Sequence, residues 1–147
     1  MTQGDAAPGQ LAVVLDTNLF VAAFWNRRSA SADILRACLE RRVRLFYTRQ
    51  IRSELYLILR NIRAPDYYRR QVEDILEQGT ELLSAGGLSV VSEDPDDDKF
   101  LECARLARAD YLVTSDGHLL RLKRFDGTGI VKPSEFRRIL SAFREAP

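Results

Sequence analysis

The feature that most constrains the fold is a short, unbroken apolar run, LAVVL at residues 11–15, which ends directly at Asp16. A valine-rich run of this length is typical of a strand buried on both faces of a parallel sheet. Similar short runs alternate with segments of helical periodicity, at residues 43–47, 88–91, 111–113 and 129–131. This alternation favours parallel strands joined by right-handed crossovers. The sequence therefore predicts an α/β fold, a three-layer α/β/α sandwich around a mostly parallel sheet of about five strands.

Helices are predicted between these strands, at about residues 31–40, 49–61, 66–84, 94–108, 118–124 and from Pro133 onward. Gly86 and Gly87 are expected to end the third helix, because glycine adopts the left-handed backbone at helix C-termini without strain. Asp94 is expected to cap the fourth helix, with Pro95 in its favoured first position. Phe24 and Trp25 extend the helix that follows Asp16, and they are expected in the core or in a dimer contact, with base stacking as an alternative.

The chain has 147 residues, a length that suits one domain. Residues 1–10, MTQGDAAPGQ, are small and polar and lack the basic and apolar regions of a secretory signal. We expect them to form a flexible N-terminal tail, and residues 11–147 to form a single domain. No apolar stretch approaches the roughly 18 residues that a membrane span requires. A cytoplasmic protein with no membrane partner is the expectation.

Histidine and cysteine are too scarce for several common kinds of active site. The single histidine is His118, and the two cysteines, Cys38 and Cys103, lie far apart in segments of helical periodicity. The chain therefore has too few of these residues for a zinc site built from His and Cys, or for a Ser-His-Asp triad. The cysteines are expected to be buried, reduced thiols. A metal ion in this protein would be held by oxygen ligands, which favour magnesium or manganese.

A net charge of +1 conceals strong segregation of charge along the chain. Residues 27–70 hold twelve arginines and four acids, whereas residues 71–102 hold one lysine and ten acids. Arginines beside an acidic cluster suit a metal-dependent enzyme that acts on nucleic acid, because arginine binds phosphate and carboxylates bind metal. Separate, solvated helix faces would explain the same pattern.

Two aspartates follow predicted strands. Asp16 ends the first strand and Asp116 comes three residues after Val113. In open α/β sheets the ligand site lies beyond the carboxyl ends of the strands, where the strand order reverses. Both residues are therefore expected on one rim of the sheet. The alternative is structural, since aspartate commonly caps the helix that follows a strand.

Glu54 lies on the edge of the apolar stripe of its predicted helix, so its carboxylate should be partly desolvated. A bound metal or an arginine could compensate for that cost. In the acidic run at residues 94–98, negative charge also suits the first turn of a helix. Asp98 points away from the predicted buried face and is expected to be solvated. Asp96 and Asp97 both project near that face, and periodicity does not choose between them.

Asp16, Glu54, Asp116 and one of Asp96 or Asp97 would repel one another on a shared rim unless a cation neutralised them. Divalent cations do so, and one lowers the pKa of a bound water while a second, at roughly 3.5–4 Å, steadies the departing oxygen of a phosphodiester. The pattern thus favours metal-dependent hydrolysis of phosphodiester bonds without a side-chain nucleophile.

These residues resemble the PIN-domain family, and within it the VapC-type toxin ribonucleases of bacterial toxin–antitoxin pairs. The similar segments, in the family's order, are VVLDTNLFVAAF, SELYLIL, DPDDDKFLECARLARADYLVTSDGHLL and IVKPSEF. The resemblance implies catalytic roles for Asp16, Glu54, Asp97 and Asp116, with metal held by Asp16, Asp97 and Asp116.

The third acid is set by counting seven residues back from Ala104, which gives Asp97, with Asp98 as the runner-up. Asp94 and Asp96 are weaker candidates. Asn18 and Thr114 resemble the polar residues that orient the ligands. The resemblance also implies Mg²⁺ or Mn²⁺, an RNA substrate, a homodimer and a small antitoxin partner.

Two other functions remain open. The first is a catalytically silent domain of the same fold that binds nucleic acid or a protein partner. The second is a phosphatase or phosphotransferase, although those with an aspartyl nucleophile commonly carry a second aspartate two residues later, where this chain has Asn18.

Overall fold

The structure, a computed structural model, describes residues 9–84 and 98–145 of the chain. In these residues one sheet is formed by six strands: β1 (Leu11–Leu15), β2 (Val43–Thr48), β3 (Thr80–Leu82), β4 (Tyr111–Val113), β5 (Arg124–Phe125) and β6 (Thr128–Val131). The helices are α1 (Asn18–Trp25), α2 (Ala30–Leu39), α3 (Arg49–Asn61), α4 (Asp66–Gln78), α5 (Asp98–Ala107), α6 (Gly117–Leu120) and α7 (Pro133–Glu145).

The order of strands in the sheet is β3-β2-β1-β4-β6-β5. All neighbouring strands run parallel except β5 and β6, which are antiparallel. The chain moves outward from β1 to one side through β2 and β3, and then returns to the other side of β1 with β4. The strand order therefore reverses between β1 and β4, and the register there pairs Leu15 with Val113.

Helices cover both faces of the sheet. Val13 and Val14 of β1 are each 0% exposed, and consecutive strand residues point to opposite faces. On the helix side, α5 packs against β1, β2 and β4. Its buried residues are the ones that helical periodicity indicates: Phe100, Leu101, Cys103 and Ala104. The predicted α/β class and mostly parallel sheet are confirmed.

The predicted helix over residues 66–84 is wrong beyond Gln78. The chain leaves α4 at Gly79 and forms β3, whose Thr80 pairs with Phe46 of β2. A Cβ atom on Gly79 would lie 2.8 Å from the carbonyl oxygen of Leu45, so a side chain has no room there. The helical spacing of the apolar residues continues past this point, but the close approach of two backbones ends the helix earlier.

Other expectations near the ends of elements also change. The helix predicted at residues 118–124 is shorter, and Arg124–Phe125 forms the strand β5. Trp25 is 68% exposed, so it does not belong to the core of this chain, whereas Phe24 is half-buried. The strand predicted at residues 88–91 and the helix start at Asp94 lie outside the described residues, as do residues 1–8 of the predicted tail.

Cys38 and Cys103 are buried free thiols, as expected. Burial raises the pKa of each thiol to about 12, which leaves almost no reactive thiolate near neutral pH. Among the described residues, the helices include none with the length and apolar character needed to cross a membrane.

Candidate functional site

Asp16 is positioned by the end of β1. Its backbone N–H donates to the carbonyl of Val113 at 3.0 Å, which extends the pairing of β1 with β4 by one residue. The side chain is only 4% exposed. Its Oδ1 atom accepts from the backbone N–H of Asn18 at 3.0 Å, and Oδ2 accepts from the Thr114 hydroxyl at 2.7 Å. The carboxylate is thus fixed from both sides by groups that the sheet register places.

Thr114 joins Asp16 to Asp116. Its hydroxyl donates to Asp16 and accepts from the backbone N–H of Asp116 at 3.0 Å. A single hydroxyl can do both because it carries one donor and two acceptor positions. Asp116 in turn caps α6, since its Oδ1 atom accepts from the backbone N–H of His118 at 2.8 Å. The capping alternative for Asp116 is therefore confirmed, and it coexists with a place beside Asp16.

Glu54 reaches the same rim from α3. Thr48 caps this helix by accepting from Ile51 N–H, and Ile51, Leu55 and Leu59 bury its apolar stripe. Glu54 lies at the edge of that stripe, with its side chain 32% exposed. Its Oε2 atom accepts from the hydroxyl of Thr17, the residue after Asp16, at 3.2 Å. The helix-edge carboxylate therefore contacts the end of β1.

The cation that compensates Glu54 is Lys99, where the sequence favoured an arginine or a metal. The Lys99 ammonium lies 3.1 Å from Oε1 of Glu54, and the lysine side chain is only 9% exposed. The same ammonium lies 4.9 Å from the centre of the Phe100 ring. Lys99 is a site residue that the sequence reasoning missed. The available signal was that it is the only basic residue between positions 71 and 102.

Asp98 begins the described part of α5, and the expectation that it is solvated is wrong for one of its oxygens. Its Oδ1 atom is buried and has no hydrogen-bond partner in the described part of the chain. The prediction from helical periodicity took account only of the face of α5 that packs against the sheet. In the fold α5 also packs against α3, so the sheet is not the only element that buries residues of this helix.

Contacts and chain connections link these residues into one continuous set, which we call the acidic rim. The set consists of Asp16, Glu54, Asp98 and Asp116, with Thr17, Thr114 and Lys99 between them. Asp16, Thr114 and Asp116 lie at the carboxyl ends of β1 and β4, where the strand order reverses, as α/β sheets generally place a ligand site. Glu54 joins them through Thr17, and Asp98 belongs to the set only as the chain neighbour of Lys99.

The side chains of the acidic rim fit a hard divalent cation, because their donors are oxygens and one buried carboxylate oxygen lacks a partner. Within residues 9–84 and 98–145, no group of three or more His, Cys, Asp or Glu side chains could hold a metal ion by itself.

Several predicted residues take other places. Asp94, Asp96 and Asp97 lie outside the described residues. Asn18 is exposed and orients Asp16 through its backbone N–H. Thr114 is fully buried and contacts Asp16 directly, as its predicted orienting role requires.

A second concave region lies apart from the acidic rim. It is a groove of about 420 Å³ between α1, α2 and α4. Apolar side chains form most of its lining, including Phe24, Leu35, Leu39, Tyr68 and Ile75, and Arg27 and Arg36 also line it. None of the residues of the acidic rim takes part in this groove.

Comparison with known proteins identifies the family and the fold. The sequence model of the PIN domain matches residues 12–118, which is most of the chain. The crystal structure of VapBC2 from Rickettsia felis bound to a DNA fragment from their promoter contains a similar chain, with a TM-score of 0.57 and 14% identity over 83% of this chain and 98% of that chain. PAE2754 from Pyrobaculum aerophilum is similar with a TM-score of 0.55 and 15% identity over 95% and 94%. No curated protein matches the sequence.

Proposed function

This chain belongs to the PIN-domain family, and from that premise we propose that it is a divalent-metal-dependent endoribonuclease, the toxin of a toxin–antitoxin pair. The observation that carries the proposal is the buried Oδ1 atom of Asp98, which has no partner among the described residues. A buried carboxylate oxygen without a partner is costly. A cation at the acidic rim would remove that cost, and the neighbouring acids have the chemistry to share it.

In this proposal Mg²⁺ or Mn²⁺ would bind at the acidic rim through one or two of the carboxylates of Asp16, Asp98 and Asp116, and it would keep several waters. Such a cation would supply an activated water and would offset charge that develops on the phosphodiester. Thr114 fixes the orientation of Asp16, because its hydroxyl bridges Asp16 and the backbone of Asp116. The cap that Asp116 makes on α6 fixes that side chain as well. The chain thus holds its ligands in place before the substrate arrives.

The third acid of the site is proposed to be Asp98, although the count from Ala104 favours Asp97. Support for Asp98 comes from its neighbours: it precedes Lys99, which contacts Glu54, and one of its oxygens is buried. Asp97 lies outside the described residues, and its role stays a prediction. The two assignments differ in which single substitution removes activity, so one assay separates them.

The decisive assay incubates the purified protein with a mixed panel of fluorescent RNAs and with DNA of the same sequences, in Mg²⁺, Mn²⁺ or EDTA. We expect cleavage of RNA that requires metal and is lost in Asp16→Asn and Asp98→Asn. Asp74→Asn, at an exposed position of α4, is the matched control and should cut normally.

Three results would change the proposal. Loss of cleavage in Asp97→Asn but not in Asp98→Asn would make Asp97 the third ligand. Cleavage of DNA in place of RNA would change the substrate. RNA binding by the wild type without cleavage in any metal would favour the silent binding domain instead.

The groove between α1, α2 and α4 is proposed to receive the antitoxin, as an amphipathic helix with an apolar face and acidic flanks. Its apolar lining and the two arginines, Arg27 and Arg36, complement such a helix in shape and charge. The similar chain from Rickettsia felis belongs to a structure named VapBC2. An antitoxin should inhibit cleavage stoichiometrically, and Arg27→Glu should weaken that inhibition without changing cleavage by the free toxin.

A homodimer and a cytoplasmic location complete the proposal. Trp25 and Tyr67, which are 68% and 51% exposed, are large aromatic side chains of the kind enriched at protein interfaces. Sedimentation of the purified protein over a range of concentrations would test the dimer. A monomer at all concentrations would remove that part of the proposal and leave the nuclease unchanged.

A further inference from the structure

Both carboxylate oxygens of Glu54 are engaged by the protein itself. Oε1 is 3.1 Å from the ammonium of Lys99, and Oε2 accepts from the hydroxyl of Thr17 at 3.2 Å. Asp98 differs, because its buried Oδ1 atom has no partner in the described residues. Glu54 is thus paired with a cation among the described residues, whereas the Oδ1 atom of Asp98 has no partner there. The two therefore suit different tasks.

Lys99 is held unusually firmly for a lysine. Its side chain is more than nine-tenths buried, its ammonium pairs with Glu54, and the same nitrogen faces the ring of Phe100 at 4.9 Å. Phe100 is itself 3% exposed and belongs to the core. Holding a lysine in one place costs side-chain entropy, and burying its charge costs solvation. A positive charge fixed in this way at the acidic rim attracts a negatively charged ligand.

We infer that Lys99 contacts the reacting phosphate of the RNA, and that Glu54 positions Lys99 and is not a metal ligand. This inference rests on the proposed nuclease function and deepens it. During hydrolysis the oxygen of water bonds to phosphorus, one P–O ester bond breaks, and the departing oxygen takes a proton. Negative charge grows on the phosphoryl oxygens, and an ammonium fixed beside them stabilises that charge.

The placement of Lys99 also answers an electrostatic difficulty of the acidic rim. RNA phosphates are negative, and a surface of four carboxylates repels them. A fixed ammonium among those carboxylates gives one phosphate a partner of opposite charge. Lysine binds phosphate as a compact point charge.

The first test separates the metal ligands from the positioning residue by Mn²⁺ titration calorimetry on the full chain. We expect Asp98→Asn to weaken Mn²⁺ binding by at least about tenfold, as loss of a ligand should. The Mn²⁺ affinity of Glu54→Gln should remain within about threefold of wild type, because Glu54 acts on the ion only by long-range electrostatics, which solvent and salt screen. Glu73→Gln, at an exposed position of α4, is the matched control for loss of one negative charge.

The second test measures how a fluorescein-labelled, single-stranded RNA pool of mixed sequence binds to Asp116→Asn protein in Mn²⁺, where the RNA should stay intact. Adding Lys99→Met should weaken binding about fivefold. It should also reduce the slope of log K against log salt by about 0.7, the value for one lost phosphate contact on a single strand. Lys123→Met removes an exposed lysine away from the rim and should change neither quantity.

The third test uses turnover to exclude a merely structural ion pair. Lys99→Met should lower kcat by about 10²-fold, as removal of one group that stabilises transition-state charge does. If Lys99 only neutralises Glu54, the double variant Glu54→Gln with Lys99→Met should recover activity; if Lys99 meets the phosphate, it should not. Lys99→Arg, which keeps the charge, should retain part of the activity.

The outcomes of these tests are distinguishable. Mn²⁺ affinity that falls equally in Glu54→Gln and Asp98→Asn would overturn the inference and make Glu54 a ligand. Wild-type turnover in Lys99→Met, or recovery in the double variant, would also overturn it and leave the nuclease standing. A wild type that binds RNA with the expected dependence on Lys99 but never cuts would overturn the nuclease alone. A wild type that does not bind RNA would overturn both.

Discussion

The two halves of the acidic rim are built in different ways. The strand half contains Asp16, Thr114 and Asp116, which follow β1 and β4 and hold one another through hydrogen bonds of 2.7 and 3.0 Å. The helix half contains Glu54 and Lys99 on α3 and α5, joined by an ion pair, and Asp98 with its unpartnered oxygen. The polar groups of the strand half form hydrogen bonds with uncharged donors, whereas Glu54 in the helix half is compensated by a charged ammonium.

This difference follows from how each half is placed. The parallel register of β1 and β4 pairs Leu15 with Val113, so the next residues of both strands must meet. The helix half requires α3 and α5 to pack correctly, because its contacts join residues on separate helices. A bound cation would therefore add little to the geometry of the strand half, and it would compensate the helix half directly.

The largest expected effect comes from removing one carboxylate charge from each half in turn. Asp98→Asn and Asp16→Asn should both lower RNA cleavage by roughly 10³-fold, because a metal ligand supports several kcal/mol of charge stabilisation. Their effects on stability should differ in EDTA. Asp98→Asn removes the charge from a carboxylate with one buried oxygen that lacks a partner, but it leaves a polar amide in the same place, so it should change the free energy of unfolding by less than about 1 kcal/mol. Asp16→Asn weakens two charge-assisted hydrogen bonds and should destabilise it.

Thermal unfolding in EDTA and in excess Mn²⁺ measures both effects, with the exposed Asp74→Asn as the reference. For a domain of about 150 residues, a change of 1 kcal/mol in the free energy of unfolding corresponds to a shift in Tm of about 2–4 °C. Mn²⁺ should raise the Tm of wild type more than that of Asp98→Asn, because binding to the folded state stabilises it. Equal destabilisation by the two substitutions in EDTA would show that the halves do not differ as described.

A smaller effect is expected when the hydroxyl that joins the strand half is removed. Thr114→Val keeps the shape of a fully buried side chain but leaves Asp16 Oδ2 and the Asp116 N–H without the shared hydroxyl. The expected cost is about 1–3 kcal/mol in the free energy of unfolding. Cleavage should fall by about 10- to 100-fold, because the ligands lose their orientation.

Urea unfolding and the cleavage assay, run side by side, test this expectation, and Thr114→Ser is the matched control. Serine retains the hydroxyl, so it should recover most of the activity while losing only a methyl group. If Thr114→Ser is as inactive as Thr114→Val, the packing of the methyl group matters and the hydrogen bonds do not.

The strand half could be predicted from the sequence, and the helix half only in part. Asp16 and Asp116 lie a few residues beyond strands that apolar runs identify, and the end of a parallel strand has only one rim to occupy. The burial of side chains on the other faces of a helix is harder to predict, because a helical wheel identifies only the apolar face that packs against the sheet. Asp98 was therefore expected in solvent, although α3 also packs against α5.

Lys99 shows a second limit of the same kind. No role was predicted for Lys99 from the sequence, and only the packing of α3 against α5 brings its ammonium within 3.1 Å of Glu54. The fold shows this limit as well, since β3 forms where helical periodicity continued. Contacts between distant parts of the chain, such as Gly79 against the backbone of β2, decide these cases, and local patterns do not contain them.

A weaker effect is expected at the junction of the two halves. Thr17 donates to Glu54 Oε2 at 3.2 Å and is 3% exposed. Thr17→Val removes this hydrogen bond, but Lys99 still pairs with Glu54, so cleavage should fall by about tenfold, the lower end of what loss of a charge-assisted hydrogen bond of about 1.5–3 kcal/mol would give. Combining Thr17→Val with Glu54→Gln should cost no more than Glu54→Gln alone. Costs that add fully would show that Thr17 acts independently of Glu54.

The smallest effect is expected far from the rim, at Asp33, which links α2 to α7 through Arg137 at 3.1 Å and also pairs with Arg36 on its own helix. Burial alone would raise the pKa of Asp33, but hydrogen bonds and charge from these two arginines outweigh it and lower the pKa below its ordinary value near 3.8. A carboxylate with a lowered pKa stabilises the fold above its ordinary pKa, and that contribution disappears as the pH falls through the lowered value. Asp33→Asn should therefore reduce stability slightly at pH 7, within the roughly 0.2–1 kcal/mol of exposed ion pairs, and the difference from wild type should vanish in strong acid. Unfolding across that pH range measures this difference in stability. Because Asp33 takes no part in the acidic rim, the stabilisation by Mn²⁺ should be the same in both proteins. A Mn²⁺ response that changed in Asp33→Asn would mean that the rim is coupled to the whole fold and that the contrast between its two halves is not local.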